Sequence, residues 1–447
     1  MDPALTPSAN KSVAARAQFI HDQLPEGGLF ADMDWRISPT PFALGEELAR
    51  GLEPLGRVLL QFNRAVNLLY RQSVAGRVPG WIATWLDRGK PEGLIALQRS
   101  NALKNELPRV IRPDLLLTDH GLALTELDAV PGGIGLTAWL NQTYAQIGEM
   151  VLGGADGMLR GFAGIFGEAR TVQVVISQEA ATYRPEMEWI CHQMNSVERC
   201  FVPRDTTPFP FSEGDAVYRF FELFDLPNVP AAGALFDAAV KKQIRLTPPP
   251  KPIFEEKMLF ALLWNHNLRD FWRRELGEGF LKRLLTLVPY TWVLDPTPLP
   301  PQAVIPELNL TDWRQLKAFS QKERELILKL SGFSEHAWGA RSVYLGSDLP
   351  HSDWSTAVDS ALNGFEKSPC VLQRYHKPKV VASSYYDFTG GQLVPMPGRV
   401  RLCPYYFVVG DGDAARANLG GVLATICPAD KKIIHGMRDA ILAPCTA

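Results

Sequence analysis

The chain has 447 residues, 46% of them hydrophobic and 21% charged, which is the composition of a globular protein too long for one ordinary core. Its 46 Lys and Arg nearly balance 48 Asp and Glu, for a formal charge of −2, so neither nucleic acid nor an anionic membrane is the expected partner. No stretch is apolar for long enough to span a bilayer, and the first residues lack a basic segment followed by an apolar core. The expected setting is cytoplasmic, with small molecules as partners and nothing to indicate an oligomeric state.

Residues 1–105 read as helical, with apolar positions three and four apart in FALGEELARGLEPLGRVLLQFNRAVNLLYRQ and a break at Pro54. Next comes RPDLLLTDHGLALTELDAVPGGIG, from Arg112 to Gly135, in which three carboxylates and an arginine interrupt two short apolar runs. Asp119, His120 and Gly121 suit a three-residue hairpin loop whose last position takes positive φ. That loop sets Thr118 opposite Leu122, Asp114 opposite Glu126 and Arg112 opposite Asp128, with the charged groups on one face. Like charges facing each other destabilise a sheet, so a divalent cation over Asp114, Glu126 and Asp128 would make sense of them, with Arg112 as an anion partner at the edge. The alternative is a solvent-facing hairpin with a few surface acids, and exposure decides.

TYAQIGEMVLGGADGMLRGFAGIFG reads as one or two helices with glycine breaks. TVQVVIS, YRPEMEWICHQMN and VERCFVP then form a strand–helix–strand unit, and GDAVYRFFELFDL adds a further strand, so residues 171 to about 245 form a small parallel α/β layer. The proline runs at Thr247–Pro252 and Pro296–Pro301 are candidate hinges. Between them lies an amphipathic helical region. In RELILKLSGFSEHAWGARSVYLG, Lys329 ends a strand ahead of a loop holding Gly332 and Gly339, which either cradles phosphates or is an ordinary hairpin turn. DWSTAVDSALNGFEKS is a helix with an acidic cap candidate at its start, and PCVLQRYHKPKVV a strand from which Gln373 faces a nucleotide or merely solvent. Cys191, Cys200, Cys370, Cys403, Cys427 and Cys445 lack CxxC spacing and read as buried, reduced thiols. His266, His336 and His376 are isolated, His336 being a candidate lid residue. GxxxxGK[ST], HExxH and GxSxG are absent, and PGGIG lacks the spacing of a dinucleotide fingerprint.

Over about residues 110 to 440 the order of these parts resembles the circularly permuted ATP-grasp enzymes of the glutathionylspermidine synthase-like type. The best match is R-x-D followed by E-x-[ND] after a hairpin, here Arg112, Asp114, Glu126 and Asp128, with Pro131-Gly132-Gly133 behind it. The resemblance implies an α/β (α+β) ATP-grasp fold in four parts. These are an N-terminal helical region at 1–105, a metal-binding hairpin with helices of the core at 106–170, a small α/β substrate-side layer at 171–252, and nucleotide-binding lobes at 253–447. It implies Mg²⁺ on Asp114, Glu126 and Asp128, and ATP phosphates on Lys257, Lys329 and the Gly332–Gly339 loop. Adenine would lie beside Gln373, and Arg112 and Arg401 would serve as catalytic arginines at the anionic intermediate and the transferred phosphoryl group. Lys282 rivals Lys257 as the first phosphate lysine. Asp128 stands where the family more often has asparagine, and the loop is less glycine-rich than usual. The implied activity is ATP-dependent ligation of a carboxylate to an amine through an acyl phosphate, releasing ADP and phosphate, on small-molecule or peptide substrates. The alternative is a non-catalytic nucleotide-binding or scaffold protein.

Overall fold

The hairpin is the edge of the largest of four sheets in the computed structural model, which describes residues 12–31, 34–337, 341–434 and 438–447. Gly339 lies outside the described residues. Strands β1 (Val110–Thr118) and β2 (Gly121–Asp128) form the hairpin. The chain then makes a small parallel sheet from Thr171–Ile176, Cys200–Arg204, Ala216–Phe220 and Arg245–Thr247, and a small antiparallel sheet that includes β3 (Leu326–Leu330), Val343–Leu345 and β4 (Cys370–Arg374). It returns to the large sheet in three long antiparallel strands, β5 (Gly398–Val409), β6 (Arg416–Pro428) and β7 (Ile441–Thr446). Because β5 pairs with β1, residues nearly 300 positions apart share one sheet face.

Alternation along β5 explains both faces of that sheet. Val400, Leu402, Tyr406 and Val408 point into a core with the helices α1 (Leu55–Val74) and α2 (Arg269–Leu287). Arg401, Cys403, Tyr405 and Phe407 point the other way, where the helices at Ile134–Gln146 and Gly157–Gly164 cover only part of the surface and a cleft occupies the rest. No described helix is long and apolar enough to cross a membrane.

Several elements differ from the sequence expectation. The amino-terminal region adds two short strands, Arg36–Ile37 and Phe42–Ala43, both parallel to β7, to its helices. Thr247–Pro252 is buried, and Lys251 within it donates to Asn67 Oδ1 and to the Glu106 carbonyl, both at 2.9 Å, which pins the segment to the amino-terminal helices in place of a hinge. The helix His351–Asn363 is preceded by Pro350, and Asp353 sits inside its first turn without capping it. All six cysteines are free, five buried and Cys200 exposed.

Candidate active site

The hairpin loop has two residues, not three: Thr118 pairs with Gly121, whose φ is +110°. Regular pairing from that turn would set Thr125 opposite Asp114 and aim both β2 acids into the apolar core. A bulge prevents this. Two-against-one pairing between Asp114 and Leu115 leaves Thr125 over, after which Asp114 faces Glu126 and Arg112 faces Asp128. The expected pairing of the four charged residues therefore holds, but through a bulge in β2 and not through the turn.

The same sheet face continues through Arg401, Cys403 and Tyr405 on β5 and Thr425 and Leu423 on β6, because Arg401 pairs with Leu116 on one side and Thr425 on the other. The result is a cleft of about 370 Å³ floored by the sheet and roofed by β3 and the loop after it. Asp114 has a side chain only 8% exposed and Glu126 one 40% exposed. These acids line a cleft, which disposes of the solvent-facing hairpin.

Cations meet each acid. Arg112 Nη2 lies 2.9 Å from Asp128 Oδ2 and its Nε 3.2 Å from Asp114 Oδ1; Arg401 Nη1 lies 3.1 Å from Asp114 Oδ2; Lys257 Nζ lies 2.8 Å from Glu126 Oε1. Lys329, reaching down from β3, donates to the Thr125 carbonyl at 2.9 Å. Burial favours a neutral Glu126, but Lys257 and then Lys329 outweigh it and hold the carboxyl below its ordinary range. Burial pushes Asp128 up despite Arg112, with the neighbouring Glu126 adding to the rise. Burial pulls Lys329 down to about 8. Among the described residues no three of His, Cys, Asp or Glu stand together as a ready metal cage.

The other residues singled out in sequence fall as follows. Lys257 opens the helix Met258–Trp264 and reaches the cleft, whereas Lys282 is exposed on α2 and absent from its lining, so only the former is placed to meet a ligand there. Gly332 is required by packing: a Cβ there would lie 2.4 Å from the Glu255 carbonyl. Gln373 is buried in β4, opposite Ile327, with its amide donating to Thr291 Oγ1 at 3.0 Å, and it does not line the cleft. His336 is exposed beside Glu335 in the loop after β3.

Sequence reasoning missed Tyr183, Tyr405, Thr425 and Glu186. Tyr405 donates to the Gly132 carbonyl at 2.7 Å, and a Cβ on Gly132 or Gly133 would strike the Tyr183 ring at 2.5 Å or the Tyr405 hydroxyl at 2.4 Å. Glu186, fully buried, accepts from the Gly133 and Leu136 amides at 2.6 and 2.8 Å and so caps the helix that follows the turn. Period-two reading of GRVRLCPYYFVV would have put Cys403 and Tyr405 beside Arg401. No local signal pointed to Tyr183 or Glu186.

The mixed α/β fold of the chain is similar to that of a glutathione synthetase-like protein. A glutathione synthetase-like effector from Globodera pallida, in its apo form, aligns over 99% of both chains with a TM-score of 0.57 and 11% sequence identity. A candidate gamma-glutamylcysteine synthetase from Methylobacillus flagellatus KT aligns over 90% of this chain and 89% of its own at a TM-score of 0.41 and 11% identity. No protein-family model matches the chain, and no curated protein does.

Proposed function

We propose that the protein is an ATP-dependent carboxylate–amine ligase with circularly permuted ATP-grasp organisation of the glutathionylspermidine synthase-like type. The hairpin at 106–170 and the lobes at 253–447 hold the nucleotide, and 171–252 is the substrate-side layer. One observation carries the reading: Lys257, Lys329, Arg112 and Arg401, from four separate elements, converge on three acids across one cleft. Such a set suits a reaction that is mainly positioning and charge neutralisation.

In this reading Lys257 and Lys329 hold the β- and γ-phosphates, and the acid substrate's oxygen attacks the γ-phosphorus, breaking its bond to the bridging oxygen and releasing ADP. Arg401 neutralises the phosphoryl group in transit. The amine then adds to the acyl carbon, Arg112 steadies the oxyanion, and phosphate departs with the oxygen that had attacked; the amine's proton leaves to solvent. The donor chemistry suits Mg²⁺ as nucleotide sites usually hold it, by one or two carboxylates plus phosphate oxygens. Asp114, Glu126 and Asp128 would supply the carboxylates, and the ion would neutralise phosphate charge. Supplying ¹⁸O in the substrate carboxylate is the test: one labelled oxygen must reach inorganic phosphate, and label in AMP would exclude the mechanism.

A second reading, a nucleotide-binding or scaffold protein without turnover, draws on the pairing of Asp114, Glu126 and Asp128 each with a cation. ATP binding with no product from any acid and amine would favour it.

A further inference from the structure

Two donors at the floor of the cleft have no acceptor. Thr425 is 1% exposed, pairs with Arg401 across β5 and β6, borders the cleft, and its hydroxyl has no hydrogen-bond partner. Arg401 donates through Nη1 to Asp114, while its buried Nε is unpartnered. A buried polar group left unpaired costs stability, a cost that a valine of the same shape at 425 would avoid. A threonine hydroxyl in this place therefore suits an acceptor that arrives from outside.

The cations indicate which acceptor. Lysines act on Glu126 from the side of the small antiparallel sheet, and guanidinium groups act on Asp114. A guanidinium matches carboxylate and phosphate alike, so the apolar wall beside Arg401 is what favours the carboxylate of an apolar acid at this end. The wall near Thr425 and Arg401 includes Cys403, Tyr405, Leu423, Ile434 and the ring of Tyr183. Every carboxylate lining the cleft, among the described residues, already holds a cation. An ammonium group entering here would meet arginine and no uncommitted acid.

We infer that this end of the cleft binds a carboxylate with an apolar body and no α-ammonium, its oxygens accepting from Arg401 Nε and Thr425 Oγ1. The inference rests on the ligase reading only in making that ligand the acyl donor. Hydrocarbon acids fit it; zwitterionic amino acids do not.

Calorimetry on the full chain with 3-phenylpropanoate and phenylalanine, which differ by the α-ammonium, tests it, with ATP titrated separately. The expected result is binding of 3-phenylpropanoate at least about tenfold tighter than phenylalanine, and a loss of about tenfold in Thr425→Val, the size of one hydrogen bond to a charged group. Thr425→Val should also keep or raise the thermal midpoint, since it removes an unpaired buried hydroxyl, whereas a threonine with a structural role would lower it. Equal binding of the two acids, unaltered 3-phenylpropanoate affinity in Thr425→Val, or no binding at millimolar concentration overturns the proposal. If the acid binds as expected while ATP does not, the subsite stands and the ligase reading falls; if ATP alone binds, the subsite falls by itself.

Discussion

The ammonium of Lys329 donates to the backbone carbonyl of Thr125 over 2.9 Å, fastening the small antiparallel sheet to the one hairpin residue that the ladder leaves over. The bulge thus aims the acids and also frees a carbonyl for the lysine above them.

Lys329 should make nucleotide affinity pH-dependent. Burial lowers its pKa to about 8, with Glu126 opposing, so the side chain is cationic below that pH and neutral above it. ATP affinity measured by calorimetry should hold up to about pH 7.5 and weaken toward pH 9. Lys329→Ala should bind ATP roughly tenfold more weakly at neutral pH, the scale of one charge-assisted hydrogen bond, without that step and with less effect on the acid substrate. Identical pH profiles for the two proteins would remove the lysine from the nucleotide site.

Glu126→Gln should keep the fold and lose phosphate-releasing turnover. Its side chain is the most exposed of the three acids, so the amide is tolerated, but it can neither pair ionically with Lys257 nor serve as an anionic ligand to a hard cation. A thermal midpoint within a few degrees of wild type, together with abolished turnover, is the expected pair of readings. Undiminished turnover would withdraw the metal assignment.

Glu186 should tilt stability with pH. Burial raises its pKa to about 7 from 4.5 although the Leu136 and Gly133 amides oppose the rise, so between those values the folded state binds more protons than the unfolded. The direction follows from linkage: the wild type loses stability as pH climbs from about 4.5 to 7, by up to roughly 3 kcal/mol. Glu186→Gln, although less stable at low pH because it offers one acceptor to two amides, should lack that slope in urea midpoints collected between pH 5 and 7.5.

Lys90 and Glu256 form an ion pair with side chains 1% and 2% exposed, and Ser331 donates to the same carboxylate while accepting from the Met258 amide at 2.9 Å. This pair ties the amino-terminal helices to the segment that carries Lys257. Lys90→Ala strands a buried charge and should destabilise the protein by about 3–5 kcal/mol, whereas Lys90→Met with Glu256→Leu should lose much less. Chemical denaturation of the three proteins decides; equal losses would mean that packing, not charge, is at stake.

Much of the local structure was legible in the sequence. Turn chemistry and alternation located the hairpin, the strand–helix–strand unit and the positive φ at Gly121, because each depends on neighbours in the chain. The fourfold charge pairing was also legible, although the turn expected to produce it has one residue fewer and the bulge at Thr125 restores it. A bulge leaves no mark in a pattern of apolar and polar residues, since Thr125 suits either face.

Sequence by itself determined which residues carry charge and which strands alternate, while the bulge at Thr125 is what brings the acids and Arg112 to one face of the hairpin. Tertiary structure decided everything that depends on distant pairing. It set Arg401 against Asp114, 287 positions away, chose Lys257 over Lys282 for the cleft, buried the proline run expected to be a hinge, and left Thr425 with a hydroxyl and no partner. The reason is that strand order and burial are settled by the sum of many long-range contacts, none of which is encoded in the few residues on either side of a given position.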